Sequence, residues 1–276
     1  MKKFFDFLRK KKFVKPKRQC SLYNVKEQTF KENKEIKEKK TAILIGLNYP
    51  GSHYSLNGCV NDVKNGDKYL KEHGYNSKFL EDKDISNSYN VIEALKELRD
   101  SDSKNVFFHY SGHGTQVRDT NGDEADGKDE AIYSKNGKLI TDDEINAVLN
   151  TFSEDKTIFL IFDCCHSGSI ADLPYIATET GVKLEYIKKN VKANIICLSG
   201  CRDEQTSADV TEKSISYGAL SATLYNILRN ADKNKRNFTW RQLYKQLLLE
   251  MKFRGYEQIP QLSSSDPSIF DQIVKF

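Results

Sequence analysis

A histidine and a cysteine each follow a short apolar run that is typical of a buried β-strand. His113 closes the stretch "NVFFHYSGH", and Cys165 comes directly after "IFLIFDC". A cysteine thiolate can attack a carbonyl carbon, and an imidazole can pass the proton on to the leaving amine. The two residues therefore predict a nucleophile and base pair for acyl transfer, provided that the fold brings the two strand ends together.

Small residues lie beside both reactive side chains. Gly112 and Gly114 flank the histidine, and Ser167 and Gly168 follow the cysteine. Glycine allows a substrate backbone to approach closely, and main-chain N–H groups at such a point can hold an oxyanion.

Spacing alone leaves a structural interpretation of the pair open. A buried cysteine often acts as a small hydrophobic residue, and a lone histidine is often a polar residue with satisfied hydrogen bonds. We predict no catalytic role for the other four histidines, and a structural one for His166; they are His53, His73, His109 and His166.

Apolar strands alternate with amphipathic helices from residue 41 onward. The patterns predict strands at 41–48, 76–82, 105–112, 156–163 and 194–200, and helices at 59–74, 86–100, 141–150, 218–230 and 239–253. Such alternation is typical of an α/β fold with a mostly parallel central sheet and helices on both faces. Sites in these sheets lie outside the carboxyl ends of the strands, where both reactive residues fall.

The composition argues against a membrane-spanning or a secreted protein. No apolar run approaches the ~20 residues that span a bilayer, and the N-terminal stretch "MKKFFDFLRKKKFVKPKRQ" has no apolar core of a secretory signal. We therefore expect a cytoplasmic protein. The 6 cysteines include no CxxC pair, so we expect reduced thiols and no structural zinc.

The charge is distributed unevenly along the chain. Residues 1–40 carry 15 Lys/Arg and 5 Asp/Glu, and the remaining residues carry 28 and 34. A basic tail thus precedes an acidic domain. Three interpretations stay open: a solvated and partly disordered tail, a weak contact with an anionic membrane through "FFDFLRKKKF", or a tail that folds back on the domain. A nucleic-acid partner would rest on the tail charge alone and is not expected.

Five motifs in this order resemble those of the metacaspases, which are caspase-like cysteine peptidases. They are "YSGHG", "DCCHSGS", "SGCRDEQTSADV", "GALS" and "PQLSSS", and the resemblance runs from about residue 40 to the end. It implies a caspase-like three-layer α/β sandwich, with His113 and Cys165 as the catalytic dyad and the amides of Gly114 and Cys165 as the oxyanion hole. It also implies a large-subunit-like region at about 41–177, a linker at about 178–190 and a small-subunit-like region at about 191–276.

The resemblance further implies an endopeptidase that cleaves protein or peptide substrates after arginine or lysine. The matching pocket residues are Cys59, Asp62, Ser111 and Asp163. Two carboxylates suit a basic side chain. Each has an alternative interpretation: Asp62 as part of a solvated helix face, and Asp163 as a helix cap or strand-end acceptor.

Calcium dependence is the other property that the resemblance implies. The matching ligands are Asp129, Asp142, Asp143 and Asp172, with Asp126 as a rival for Asp129. Calcium prefers such oxygen ligands. For the two aspartates of "TDDE", capping of the next helix is the alternative.

The segment "DTNGDEADGKDE" mimics an EF-hand loop without being a good one. Asp119, Asn121, Asp123 and Glu130 fall at the first, third, fifth and twelfth positions. The sixth position is Glu124 where the loop needs glycine, and the flanks have strand patterns. A solvated acidic loop is the better interpretation.

Other properties stay as expectations or alternatives. The lysines at 183, 188 and 189 would allow self-cleavage in the linker, and the family is usually monomeric. The basic tail could occupy the acidic pocket as a built-in inhibitor. The alternative to an enzyme is a non-catalytic scaffold with a caspase-like fold, anchored through the tail.

Overall fold

The computed structural model describes residues 38–122, 124, 127–184, 191–200, 209–212 and 215–276. The strands are β1 (Lys40–Gly46), β2 (Asn76–Glu81), β3 (Asn105–Ser111), β4 (Gly114–Arg118), β5 (Lys128–Tyr133), β6 (Leu139–Thr141), β7 (Thr157–Asp163), β8 (Tyr175–Ala177), β9 (Val182–Leu184), β10 (Asn194–Ser199), β11 (Asp209–Glu212), β12 (Ile215–Gly218) and β13 (Gln261–Ser264). The helices are α1 (Cys59–Glu72), α2 (Val91–Asp100), α3 (Asp142–Leu149), α4 (Ala219–Lys233) and α5 (Trp240–Phe253), and a 3-10 helix spans Pro267–Asp271.

One sheet dominates the fold, with the strand order β2-β1-β3-β7-β10-β13-β8-β9. The first five of these strands run parallel to their neighbours, and β13, β8 and β9 are antiparallel. Parallel strands need crossover connections, and α1 and α2 lie in such connections. The predicted mostly parallel sheet is therefore confirmed.

The register aligns the carboxyl ends of the three central strands. Gly46 pairs with Ser111, and Ser111 pairs with Asp163. Residues that are far apart in the sequence thus meet at one edge of the sheet, as expected for an α/β site.

Two apolar cores lie on the two faces of the sheet. In β1, Ala42 and Leu44 join the core that includes α1, α4 and α5, whereas Ile43 and Ile45 join the core with α2 and α3. Successive side chains of a strand point to opposite faces, so a strand buried on both sides is apolar throughout. This arrangement is the predicted three-layer sandwich.

Local signals set the helix ends. Asn90 caps α2 by accepting a hydrogen bond from the Ile92 amide, and Gly74, beyond α1, has a left-handed φ of 82°. Thr141 and Thr239 begin α3 and α5 with capping boxes. The helix ends lie within three residues of the predicted ones, except that α2 begins five residues later than predicted, at Val91.

Several short strands go beyond the five main strands predicted, and two of them, β4 and β5, match the strand patterns on either side of the acidic segment. β4, β5 and β6 form a separate antiparallel sheet, and β11 pairs with β12. The strand β9 lies within the predicted linker, whose residues 185–190 are outside the described part, as are residues 1–37 of the basic tail. Among the described residues, no helix combines the length and apolar character needed to cross a bilayer.

Candidate active site

The two adjacent cysteines after β7 have different surroundings. Cys164 is buried in the core, whereas Cys165 is partly exposed. The turn that follows is held by Ser167, whose hydroxyl donates to the Cys164 carbonyl at 2.9 Å. His166 takes a left-handed conformation with φ 45°. Of the two adjacent thiols, the partly exposed one of Cys165 is the one that a substrate can reach.

His113 lies in the short connection between β3 and β4. Its backbone N–H donates to the Tyr49 hydroxyl at 3.2 Å, and its carbonyl accepts from the Tyr110 hydroxyl at 3.0 Å. The Tyr133 amide also donates to this carbonyl at 3.1 Å. Hydrogen bonds on both sides of the peptide therefore hold the backbone of the histidine.

The imidazole of His113 contacts a main-chain carbonyl. Its Nε2 lies 2.6 Å from the Tyr54 oxygen. Because a carbonyl only accepts, Nε2 carries the proton, and in the neutral ring Nδ1 is the nitrogen that can take a proton. The same carbonyl stabilises the ring once it is positively charged.

Gly114, which directly follows His113, packs against the turn that contains Cys165. A Cβ added there would lie 2.0 Å from the Cys165 carbonyl oxygen and 3.2 Å from the Cys164 sulfur. Only glycine permits this approach of the two backbones. It places the residue after His113 directly against Cys165, as the predicted dyad and oxyanion hole require.

The predicted pocket residues lie at the carboxyl ends of the strands and at the start of α1. Ser111 and Asp163 are register partners on β3 and β7, and Asp62 reaches them from the first turn of α1. The Ser111 hydroxyl donates to Asp62 Oδ2 at 2.7 Å. Cys59 begins α1, and its carbonyl packs so closely on Gly46 that a Cβ there would come within 2.5 Å. The structure thus brings all four predicted residues into one region.

The start of α4 lies between the two pocket carboxylates. The Gly218 amide donates to Asp62 Oδ1 at 2.8 Å, and the Ser221 amide donates to Asp163 Oδ2 at 2.9 Å. A Cβ on Gly218 would approach Asp163 Oδ2 to 2.3 Å and Asp62 Oδ2 to 3.0 Å. The amides of a helix N-terminus favour negative charge, so they stabilise both carboxylates.

These contacts test the alternatives for the pocket aspartates. Asp62 is 0% exposed, so the interpretation as a solvated helix face is wrong. Asp163 does accept a hydrogen bond from the first turn of α4, as its alternative supposed. Sequence reasoning missed Gly218 and Ser221 as pocket residues, although the "GALS" motif contains both.

The four predicted calcium ligands also converge. Asp129, Asp142 and Asp143 form one group of carboxylates within 4.8 Å, and Glu124, Asp142 and Asp172 form a second. Asp172, which has a left-handed φ of 49°, lies in the turn that follows the nucleophile. Glu124 was not predicted as a ligand, although it lies in the acidic segment of the EF-hand mimic. The rival Asp126 is outside the described residues.

Burial and neighbouring charge alter the acidity of the cluster. Burial, and then the charge of Asp172, raise the pKa of Asp142 to about 9, against partial compensation from the Glu130 and Asp143 amides. Hard cations bind such a set of carboxylate oxygens well, and a cation would relieve the repulsion between them. By donor chemistry, this cluster fits a calcium ion.

The structure also tests the alternatives for this region. Thr141, with Glu144 completing the capping box, caps α3, so neither aspartate of "TDDE" is the cap residue. The EF-hand mimic is flanked by β4 and β5 rather than by helices, and the Asp119 side chain accepts hydrogen bonds from the amides of its own turn. The described residues around this segment therefore do not have the helix–loop–helix arrangement of an EF-hand.

Comparisons with known proteins agree with this architecture. A family model described as "Caspase domain" matches residues 39–269. Metacaspase-1 of Mycosarcoma maydis is 31% identical and aligns with 87% of this chain and 74% of its own length. Metacaspase-1B of Neurospora crassa is 33% identical, with 82% and 66% covered, and Metacaspase-1 of Cryptococcus neoformans is 32% identical, with 83% and 63% covered. The chain thus spans about two thirds to three quarters of these relatives.

Solved structures show the same fold. A protein from Geobacter sulfurreducens superimposes with a TM-score of 0.63 and 27% identity, over 85% of this chain and 97% of that one. Caspase-1 from Spodoptera frugiperda superimposes with a TM-score of 0.54 at 12% identity, over 82% and 88%, which supports the fold alone. The chain belongs to the caspase-domain family of cysteine-type endopeptidases, and its resemblance to the metacaspases is confirmed.

Proposed function

We propose that this protein is a calcium-activated endopeptidase that cleaves after arginine or lysine, with Cys165 as nucleophile and His113 as base and acid. The observation that carries the proposal is the contact of Gly114 with the Cys165 carbonyl, which joins the histidine segment to the nucleophile turn. The partly exposed thiol and the Nε2–carbonyl contact of His113 support the same assignment.

The reaction divides into two steps. His113 takes the Cys165 proton, the thiolate attacks the scissile carbonyl carbon, and the amides of Gly114 and Cys165 stabilise the oxyanion. The C–N bond breaks as the imidazolium gives its proton to the leaving amine, leaving a thioester. Water then attacks this thioester, with His113 as the base, and releases the thiol.

The preference for a basic side chain rests on the charge of the pocket. Asp62 and Asp163 are 0% and 4% exposed and lie on either side of Gly218. Carboxylates in such a dry site attract a guanidinium or ammonium group and disfavour an acidic one. Ser111, bonded to Asp62, orients that carboxylate.

Calcium would act on the nucleophile turn through Asp172. Asp129 lies on β5, and Asp142 and Asp143 are the first residues of α3. The turn after Cys165 also contacts β5, because the Ser169 hydroxyl donates a hydrogen bond to Glu130. Bound calcium supplies a fixed positive charge that links these elements. The residues Asp129, Asp142, Asp143 and Asp172 would hold it.

We expect Asp142→Asn to weaken calcium binding at least tenfold, because it removes a central carboxylate of both groups. Calcium should raise the melting temperature of the wild type, and more at pH 9 than at pH 6, since protons compete for Asp142. Calorimetric titration measures the affinity directly. Glu154→Gln, an exposed carboxylate outside the cluster, is the matched control and should bind calcium normally.

The central experiment is hydrolysis of a fluorogenic peptide ending in arginine, with and without millimolar calcium. The wild type and Cys197→Ala, which alters a buried thiol on β10, should cleave only with calcium, and Cys165→Ala should not cleave. If neither the wild type nor a chain lacking residues 1–37 cleaves the peptide, the non-catalytic scaffold is favoured. Cleavage without calcium would contradict only the proposed activation by calcium.

Three further properties belong to the proposal. Lys183 lies on the exposed strand β9, where another molecule of the same enzyme would be able to cleave the chain. Mass spectrometry after incubation with calcium would locate the cleavage site. We also propose a monomer in the cytoplasm. Sedimentation of the active protein and imaging of a tagged chain test these two points.

The basic tail is proposed to inhibit the acidic pocket. Its charge is opposite to that of Asp62 and Asp163. Removal of residues 1–37 should raise the rate of hydrolysis of small arginine peptides. An unchanged rate would make membrane contact the better hypothesis, which binding to anionic vesicles would test.

A further inference from the structure

We propose that Tyr49 is a positioning residue for the catalytic base, and that the buried Asp82 holds it in place by fixing the backbone of the turn that carries it. This inference rests on the proposed function of His113 and extends it to a segment 59 to 64 residues earlier in the chain. The turn that contains Tyr49 also supplies Tyr54, so one segment contacts both the main chain and the ring of His113.

Tyr49 touches the histidine in two ways. Its hydroxyl accepts the His113 N–H at 3.2 Å, and its ring centroid lies 5.0 Å from the imidazole centroid at an interplanar angle of 34°. The first contact fixes the peptide from which the imidazole projects. The second places an aromatic ring against the imidazole, where it stabilises the positive charge that forms during catalysis.

The Tyr49 hydroxyl donates its single proton to the Tyr133 carbonyl at 3.0 Å, and the Tyr110 hydroxyl lies beside it at 2.9 Å. Tyr110 in turn contacts the His113 carbonyl. Burial raises the pKa of Tyr49 well above its ordinary value, so the phenol stays protonated and neutral throughout the working range of the enzyme. The peptide of His113 thus lies between two fixed tyrosine hydroxyls.

The backbone of Tyr49 is strained. Its φ is 49°, in the left-handed region that tyrosine seldom adopts, and Pro50 follows it. Such a conformation is unfavourable and persists only where its surroundings enforce it. Here the amides of Asn48 and Tyr49 both donate to the Asp82 carboxylate, at 3.0 and 2.8 Å.

Asp82 is well suited to this task. It directly follows β2 and is 8% exposed, so its two oxygens are directed at the turn in a largely dry environment. Hydrogen bonds to a carboxylate are about twice as strong as neutral ones. They offset the strain and set the direction in which the Tyr49 side chain leaves the turn.

The test compares Tyr49→Phe with Tyr244→Phe. Tyr244 is also buried, and its hydroxyl donates to the Pro260 carbonyl at 3.0 Å, outside the residues placed in the active site. Both variants lose one tyrosine hydroxyl and keep the ring. Tyr49→Phe should lower kcat on an arginine peptide about tenfold with little change in KM, and Tyr244→Phe should keep the wild-type kcat.

A second readout does not depend on peptide cleavage. The rate at which iodoacetamide alkylates Cys165, followed by mass spectrometry of the peptide that carries it, reports the thiolate as a function of pH. The pH at which the alkylation rate is half-maximal should shift in Tyr49→Phe, because the imidazole that stabilises the thiolate is displaced. The same midpoint should not change in Tyr244→Phe. This arm distinguishes failure of the inference from failure of the proposed peptidase, since it needs no turnover.

Wild-type kcat and alkylation midpoint in Tyr49→Phe would overturn the inference. Equal losses in the two variants would also overturn it, because they would report general stability. If Tyr49→Phe does not fold, Asp82→Asn takes its place: it keeps the shape of the carboxylate, weakens the hold on the turn and should produce the same two changes. Unchanged values there would overturn the inference equally.

Discussion

Asp163 illustrates how one side chain can serve both structure and specificity. Its Oδ2 accepts the Ser221 amide at the start of α4, and its charge contributes to the acidic pocket. An asparagine could retain the acceptor and remove the charge. The two roles can therefore be separated by a conservative substitution.

Asp163→Asn should lower kcat/KM for arginine-ending peptides about 10–100-fold, as expected for loss of a charge-assisted contact of about 1.5–3 kcal/mol. A citrulline-ending peptide, neutral but of the same shape, should be affected far less. The comparison of both peptides is the measurement, with the exposed Asp155→Asn as control. Equal losses on the two peptides would contradict the specificity role.

His109 is a buried histidine with no predicted catalytic role. Its ring nitrogens lie 3.1 Å from the Ser221 hydroxyl and 3.3 Å from the Tyr225 hydroxyl. Burial lowers its pKa to about 3. It is therefore neutral in the folded protein over the whole physiological range.

This shift predicts a pH dependence of stability. The unfolded chain takes up a proton at His109 below its ordinary pKa of about 6.5, whereas the folded protein does not until about pH 3. Stability contributed by this group is present above pH 6.5 and is lost as the pH falls toward 3, by about 1.4 kcal/mol per pH unit. Urea unfolding at several pH values should show a shallower loss for His109→Gln than for the wild type. Parallel curves would exclude this contribution.

At the scale of elements, the contact between β4 and the nucleophile turn decides whether the site can form. β4 begins immediately after His113, and its first residue lies against Cys165. The antiparallel sheet of β4, β5 and β6 thus links the base, the nucleophile and the acidic cluster on β5 and α3.

Gly114→Ala should abolish activity while leaving the fold largely intact. An added Cβ would lie 2.0 Å from the Cys165 carbonyl, so the turn must move away from the histidine. Gly181→Ala is the matched control, because nothing lies within 4 Å of a Cβ at that position. Peptide hydrolysis and far-UV circular dichroism are the measurements. An active Gly114→Ala protein would refute the proposed junction.

At the scale of the whole molecule, the two cores flank one sheet, so each side should contribute separately to stability. Leu44 is fully buried on the side of α1, α4 and α5, whereas Leu249 on α5 is 64% exposed. Large core side chains contribute mainly through burial and close packing.

Leu44→Ala should lower the free energy of unfolding by about 2–5 kcal/mol, and Leu249→Ala should change it by less than about 0.5 kcal/mol. Urea denaturation of both variants is the measurement. A similar effect for the two would show that the core does not lie where the structure places it.

The sequence by itself determined the order and type of the main elements and predicted the dyad, and its resemblance to the metacaspases implied the pocket aspartates. Apolar runs and helical spacing are local properties, and the motifs keep His113 and Cys165 at strand ends, so these could be predicted without a structure. The strand patterns beside the acidic segment indicated β4 and β5, whereas β6, β8 and β9 could not be predicted, because few residues carry each pattern.

Only the tertiary structure decided which side chains meet. The bond from Ser111 to Asp62 spans 49 residues, and that from His113 to Tyr49 spans 64. Such contacts depend on the register of the sheet and on how loops pack over its edge, which no local pattern encodes. For the same reason, the strained turn at Tyr49, Glu124 beside the acidic cluster and the position of Gly218 between two carboxylates became visible only in the folded chain.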